Sequence, residues 1–77
     1  MMRVRDFLEK CNEEVFIQIK ENGCYVNRGL AKSLLAMLND EDRDGYRLDR
    51  EICEIGSQIY NANYTLGRHV ADIVITI

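Results

Sequence analysis

The sequence predicts a small α+β domain in which an antiparallel sheet of three to four strands carries two helices packed on one face. Three observations point there. Two segments repeat apolar residues at helical spacing, others alternate them at strand spacing, and an Asn-Gly pair joins two of the extended segments. Strands that follow helices with tight turns between them place the helices on one side of an antiparallel sheet. Seventy-seven residues suffice for one domain, residues 1–77, and not for two.

Residues 3–11 read as a short helix. Val4, Phe7, Leu8 and Cys11 form one apolar stripe, with Arg3, Asp6, Glu9 and Lys10 on the other side. Residues 15–21 alternate as a strand does, Val15, Ile17 and Ile19 facing one way and Phe16, Gln18 and Lys20 the other. Asn22-Gly23 is a strong hairpin signal, because both residues tolerate positive φ. Cys24, Tyr25 and Val26 then form a brief return strand.

The second helix is the clearest element. Leu30, Leu34 and Leu38, with Ala31, Leu35 and Met37 beside them, give a broad apolar face. Asn27 serves as its N-cap and the helix ends near Asn39. Residues 40–50 form a charged connection that turns at Gly45.

Residues 51–60 read two ways. As a helix, Ile52, Ile55 and Ile59 share a face; as a strand, Cys53, Ile55, Ser57 and Ile59 do, opposite Ile52 and Tyr60. The isoleucines and Gly56 lower helix propensity, which favours the extended reading. Asn61-Ala62-Asn63 and Gly67 read as loop. Residues 70–77 close as a strand, with Ile73, Ile75 and Ile77 alternating with Asp72, Val74 and Thr76. An edge strand running to Ile77 is expected to promote self-association into a homo-oligomer.

Charge and cysteine content narrow the function classes. The net charge is −3, and it is concentrated in residues 39–77, which carry four Lys/Arg against eight Asp/Glu. The basic residues are scattered among acids and form no stripe, so nucleic acid is not the expected partner. No apolar run approaches the roughly 18 residues of a membrane span, and no signal peptide precedes the first helix. Cys11, Cys24 and Cys53 are odd in number and widely spaced. That pattern reads as reduced thiols packed like small apolar residues in a cytoplasmic protein.

One motif carries specific chemistry. Asp40-Glu41-Asp42-Arg43-Asp44-Gly45, five further residues and then Glu51 reproduce the spacing of a calcium loop. These twelve residues resemble the EF-hand family. The resemblance implies calcium held by Asp40, Asp42, Asp44, the Tyr46 carbonyl, a water near Leu48 and bidentate Glu51. The departures are specific. Arg47 stands where such loops carry an aliphatic residue, Asn39 replaces an apolar helix end, and a second loop to pair with is missing. The motif also needs residues 51–60 to be helical. The competing reading is a solvated connection whose acids pair with Arg43, Arg47 and Arg50.

Other chemistry is weaker. His69 is the only histidine, and no cysteines lie at the close spacing of a zinc site. No Gly-rich phosphate loop and no Cys–His constellation stands out, so the chain is not expected to be an enzyme and no cofactor is called for beyond the calcium alternative. Tyr46, Tyr60 and Tyr64 fall in the acidic half and are the candidate protein-binding residues, since tyrosine carries large contact area at low entropy cost.

Val4-Arg5-Asp6-Phe7-Leu8, the stretch from Glu54 to Tyr64, and the closing Asp72-Ile73-Val74-Ile75 give the whole chain a resemblance to short proteins of prophages and other mobile elements of Gram-positive bacteria. That resemblance implies a small host-interaction, anti-defence or regulatory protein. The expected function is therefore a non-enzymatic protein-interaction module with a protein partner, and calcium binding through residues 40–51 is the alternative.

Overall fold

The computed structural model describes residues 2–12, 15–40, 43–63 and 68–77, the side chains of residues 58–63 and 68–71 excepted. Helix α1 spans Val4–Lys10 and helix α2 spans Ala31–Asp40. Four strands, β1 (Phe16–Glu21), β2 (Cys24–Leu30), β3 (Glu54–Asn63) and β4 (Arg68–Thr76), form one sheet in the order β2-β1-β4-β3. A 3₁₀ turn over Gly45–Asp49 lies in the connection after α2. The α+β class is thus observed, with both helices on one face.

The two isoleucine-rich strands sit at the centre. Ile17 aligns with Ile73 and Ile19 with Ile75, and these side chains face the helices. Val4 and Leu8 of α1, and Ala31, Leu34 and Leu38 of α2, close over them together with Leu48. Both helices follow the i, i+3/i+4 logic of an amphipathic element, presenting one stripe to the sheet. Residues 50–52 stitch α1 in place: Val4 N–H donates to the Arg50 carbonyl at 3.0 Å, and Ile52 N–H to that of Met2 at 2.9 Å.

The Asn22-Gly23 turn forms as the sequence predicts, with φ of 53° and 82°. Both angles are positive, which matches the twist of a two-residue hairpin. Glu21 and Cys24 pair directly across it, and a bulge follows between Ile19 and Lys20.

Several expectations are corrected. The sheet is mixed: β1–β2 and β3–β4 are antiparallel, but β1 and β4 run parallel. Alternation specifies which face of a strand is buried, whereas the relative direction of two non-consecutive strands depends on where α2 returns the chain. The closing strand is not an edge. β4 lies between β1 and β3, and the Ile77 N–H still donates to the Lys20 carbonyl at 2.9 Å. The edges are β2 and β3.

Asn27 does not cap α2. It lies inside β2 opposite Ile19, and the strand runs straight into the helix at Ala31. Met37 is exposed rather than part of the apolar face. Cys24 and Cys53 are exposed as well, and only Cys11 packs against the core. Residues 54–60 are extended, in accord with the preferred reading, but the strand continues through Asn61, Ala62 and Asn63, where the sequence predicts a loop. Among the described residues, no helix is long and apolar enough to cross a membrane.

Candidate functional site

Three features of the surface could do chemistry or binding. The first is a polar hub at the hairpin end of β1. The Tyr46 hydroxyl donates to Glu21 Oε1 and Oε2 at 2.8 and 3.0 Å. Arg47 Nε donates to Oε1 at 3.2 Å and Arg50 Nη1 to Oε2 at 3.3 Å. Arg47 also reaches Asn27 Oδ1 at 3.1 Å and pairs with Asp44 at 3.2 Å.

The 3₁₀ turn places Tyr46 and Arg47 on adjacent positions, so one short segment grips both strands of the first hairpin. The Tyr46 hydrogen bond and the Arg47 and Arg50 charges hold the Glu21 carboxyl below its ordinary range, against an opposing push from burial. Burial would lower Arg47, but the Glu21 bond and its neighbours Tyr46 and Asp44 hold the guanidinium above its ordinary value. Every charge here has an opposite partner, and together they clasp the 3₁₀ turn to the first hairpin.

The calcium-motif residues are placed by the same segment. Asp40 is the last residue of α2, Asp44 is committed to Arg47, and the Glu51 backbone bridges Arg3. Asp42 lies outside the described residues. The position of an exiting helix is taken by β3. Among the described residues, no three His, Cys, Asp or Glu side chains converge as a metal site would require.

The second feature is the sheet face turned away from the helices. Its rows follow from the register: Tyr25, Lys20, Thr76 and Glu54 across one, and Arg28, Gln18, Val74 and Gly56 across the next. Lys20 lies over the Tyr25 ring at 5.3 Å, and Arg28 over Phe16 at 4.9 Å. A recess of about 270 Å³ opens between Lys20 and Tyr25 on one side and Glu54 and Gly56 on the other, with Val74 and Thr76 between.

Asp72 sits at one border of this face and is 0% exposed. Its Oδ2 accepts from Gln18 Nε2 at 2.9 Å and Arg28 Nε at 3.0 Å. Its Oδ1 is buried without a hydrogen-bond partner among the described residues. Alternation alone places Asp72 on the face opposite Ile73 and Ile75. The residues that donate to it come from β1 and β2, too far along the chain for local pattern to reveal.

The third feature is β3 itself. Among the described residues it pairs only with β4, and Ile55 is 53% exposed although its partner Ile75 is fully buried. Beyond Asp72 the β3–β4 pairing continues through Ile59–Ala71, Tyr60–Val70 and Asn63–Arg68, past the last rung that β1 shares with β4. The two hairpin strands therefore extend as a two-stranded ribbon.

Tyr46 and Tyr60, two of the predicted tyrosines, lie on different elements. Tyr46 is held at Glu21 and is 47% exposed. Tyr60 lies in the ribbon, six residues along β3 from Glu54, or roughly 20 Å at strand rise. Tyr64 lies outside the described residues. Ile55 and the open face were missed by sequence reasoning. The signal for Ile55 was a strand with neither proline nor lysine to guard an edge.

Cys11 is poorly placed for thiol chemistry. Burial pushes the Cys11 thiol up, with Lys32 opposing, and a protonated thiol is a poor nucleophile. No family model, curated protein or solved structure matches the chain.

Proposed function

We propose that this chain is a non-enzymatic protein-interaction module that takes its partner along the free edge of β3, in the manner of strand addition. The observation that supports this is the ten-residue edge strand with Ile55 exposed on it. A strand of that length offers a row of backbone donors and acceptors to an extended partner segment. The alternating side chains Glu54, Ile55, Gly56 and Ser57 would supply selectivity. Edge strands are commonly guarded by lysine, proline or short length, and β3 uses none of these.

The reading places the protein in the cytoplasm of its cell, supported by three free cysteines. Its resemblance to mobile-element proteins favours a partner belonging to the host. The acidic second half favours a partner with basic residues beside the docking strand.

Affinity capture from the native host tests the proposal, comparing the wild type with Ile55→Lys, Tyr60→Ala and Met37→Lys. A specific partner is expected to be held by the wild type and by Met37→Lys, and lost with Ile55→Lys. Equal retention by all four proteins would remove β3 from the interface.

A further inference from the structure

We infer that the open face of the sheet is a self-complementary surface on which a second copy of this chain docks, face to face, about a two-fold axis running along β4. The inference uses a different surface from the β3 edge and stands whether or not that edge binds a partner.

Charge placement carries the argument. Lys20 and Glu54 belong to the same row, separated by Thr76. Neither has an ionic partner among the described residues, whereas Arg28 and Asp72 neutralise each other. Lys20 thus leaves one positive charge on the β1 side of β4, and Glu54 leaves one negative charge on the β3 side.

A two-fold axis parallel to β4 exchanges these two sides. It sets Lys20 against the second copy's Glu54, and Glu54 against the second copy's Lys20, with Val74 and Thr76 meeting their own copies between them. An in-plane axis perpendicular to the strands would instead stack Lys20's side of the face on itself. Only the first arrangement satisfies both charges, as an isologous interface requires.

Shape agrees with charge. Gly56 is exposed, with no atom within 4 Å of the place a Cβ would occupy. In the next row Gly56 and Gln18 flank Val74 symmetrically. The same axis brings the β1 side of one copy, where Gln18 is 6% exposed and lies low against Asp72, over the space left by Gly56 of the other. Tyr25, 55% exposed beside Lys20, then reaches past the Glu54 edge of the opposing sheet. A sheet covered by helices on one side only, in a chain this short, gains most from a second layer.

Sedimentation of the full-length chain tests the inference, at low and high salt, with Lys20→Glu, Glu54→Lys, the double swap and Ile55→Lys. The wild type is expected to dimerise, and each single charge reversal to weaken the dimer by about tenfold or more. The double swap should restore it to within about threefold, because the two charges exchange places. Ile55→Lys should leave the dimer intact. A monomeric wild type at high concentration, a dimer indifferent to either reversal, or a double swap no better than the singles would each overturn the inference. A dimer lost only with Ile55→Lys would assign self-association to the β3 edge instead.

Discussion

Arg47 donates through Nε to Glu21 Oε1 at 3.2 Å, joining the 3₁₀ turn to the first hairpin across twenty-six residues of chain. Both side chains are largely shielded, at 12% and 11% exposure. This pair, with Tyr46 and Arg50 on the same carboxylate, explains why a segment so rich in charge has a defined path.

The first prediction concerns acid. Glu21 has a depressed pKa in the folded chain, so the stability it contributes is fully present above its ordinary value of about 4.5 and is lost as pH falls through the lower folded value. Glu21→Gln should therefore be less stable than wild type at neutral pH, and the gap should close in acid. Urea denaturation across pH measures it. A gap that does not change with pH would separate the carboxylate charge from stability.

Gly45 gives a steric prediction. A Cβ there would lie 3.0 Å from the Leu38 carbonyl oxygen. Gly45→Ala should destabilise the fold by about 1–2 kcal/mol, since backbone at the end of α2 must give way. Denaturation midpoints report it, and an unchanged midpoint would mean that the turn has slack.

The buried carboxylate gives a third. Arg28→Met removes one of the two donors to Asp72 among the described residues and should cost about 1–3 kcal/mol. That is less than the roughly 3–5 kcal/mol of a fully buried pair, because the Arg28 side chain is 54% exposed. Adding Asp72→Asn should recover part of the loss. Unchanged stability in the single variant would show that the aspartate does not depend on its arginine.

Calcium supplies a fourth. Asp44 is committed to Arg47, and a strand follows the loop where an EF-hand has a helix. Calorimetric titration should accordingly show no heat at millimolar calcium. Heat that disappears with Glu51→Gln would restore the twelve-residue motif to function.

These particulars mark what the residue pattern could convey. Ile17, Ile19 and Ile75 were legible as core, with Ile73 packed against it, because strand alternation has period two and the burial of one face enforces it. Asn22-Gly23 was legible because only a few residues tolerate positive φ at both turn positions. The parallel pairing of β1 with β4 was not, since nothing local encodes the direction of distant strands. Nor was the fate of Asn27, whose amide oxygen serves Arg47 rather than a helix end. Asp72 looks exposed by its alternation with Ile73, yet Gln18 and Arg28 stabilise it at 0% exposure. The candidate edge was half visible. Its extended character was the preferred reading of an ambiguous segment, but its place outside β4 required the topology.

The strand order is the premise on which both proposed surfaces depend, and amide hydrogen exchange on the free chain reads it directly. Amides of Ile73 to Thr76, flanked by strands on both sides, should all be strongly protected. Those of β3 from Glu54 to Ser57 should alternate between slow and fast, with the fast ones facing outward. Uniform protection along β3 with alternation in β4 would place β4 at the edge and contradict the account.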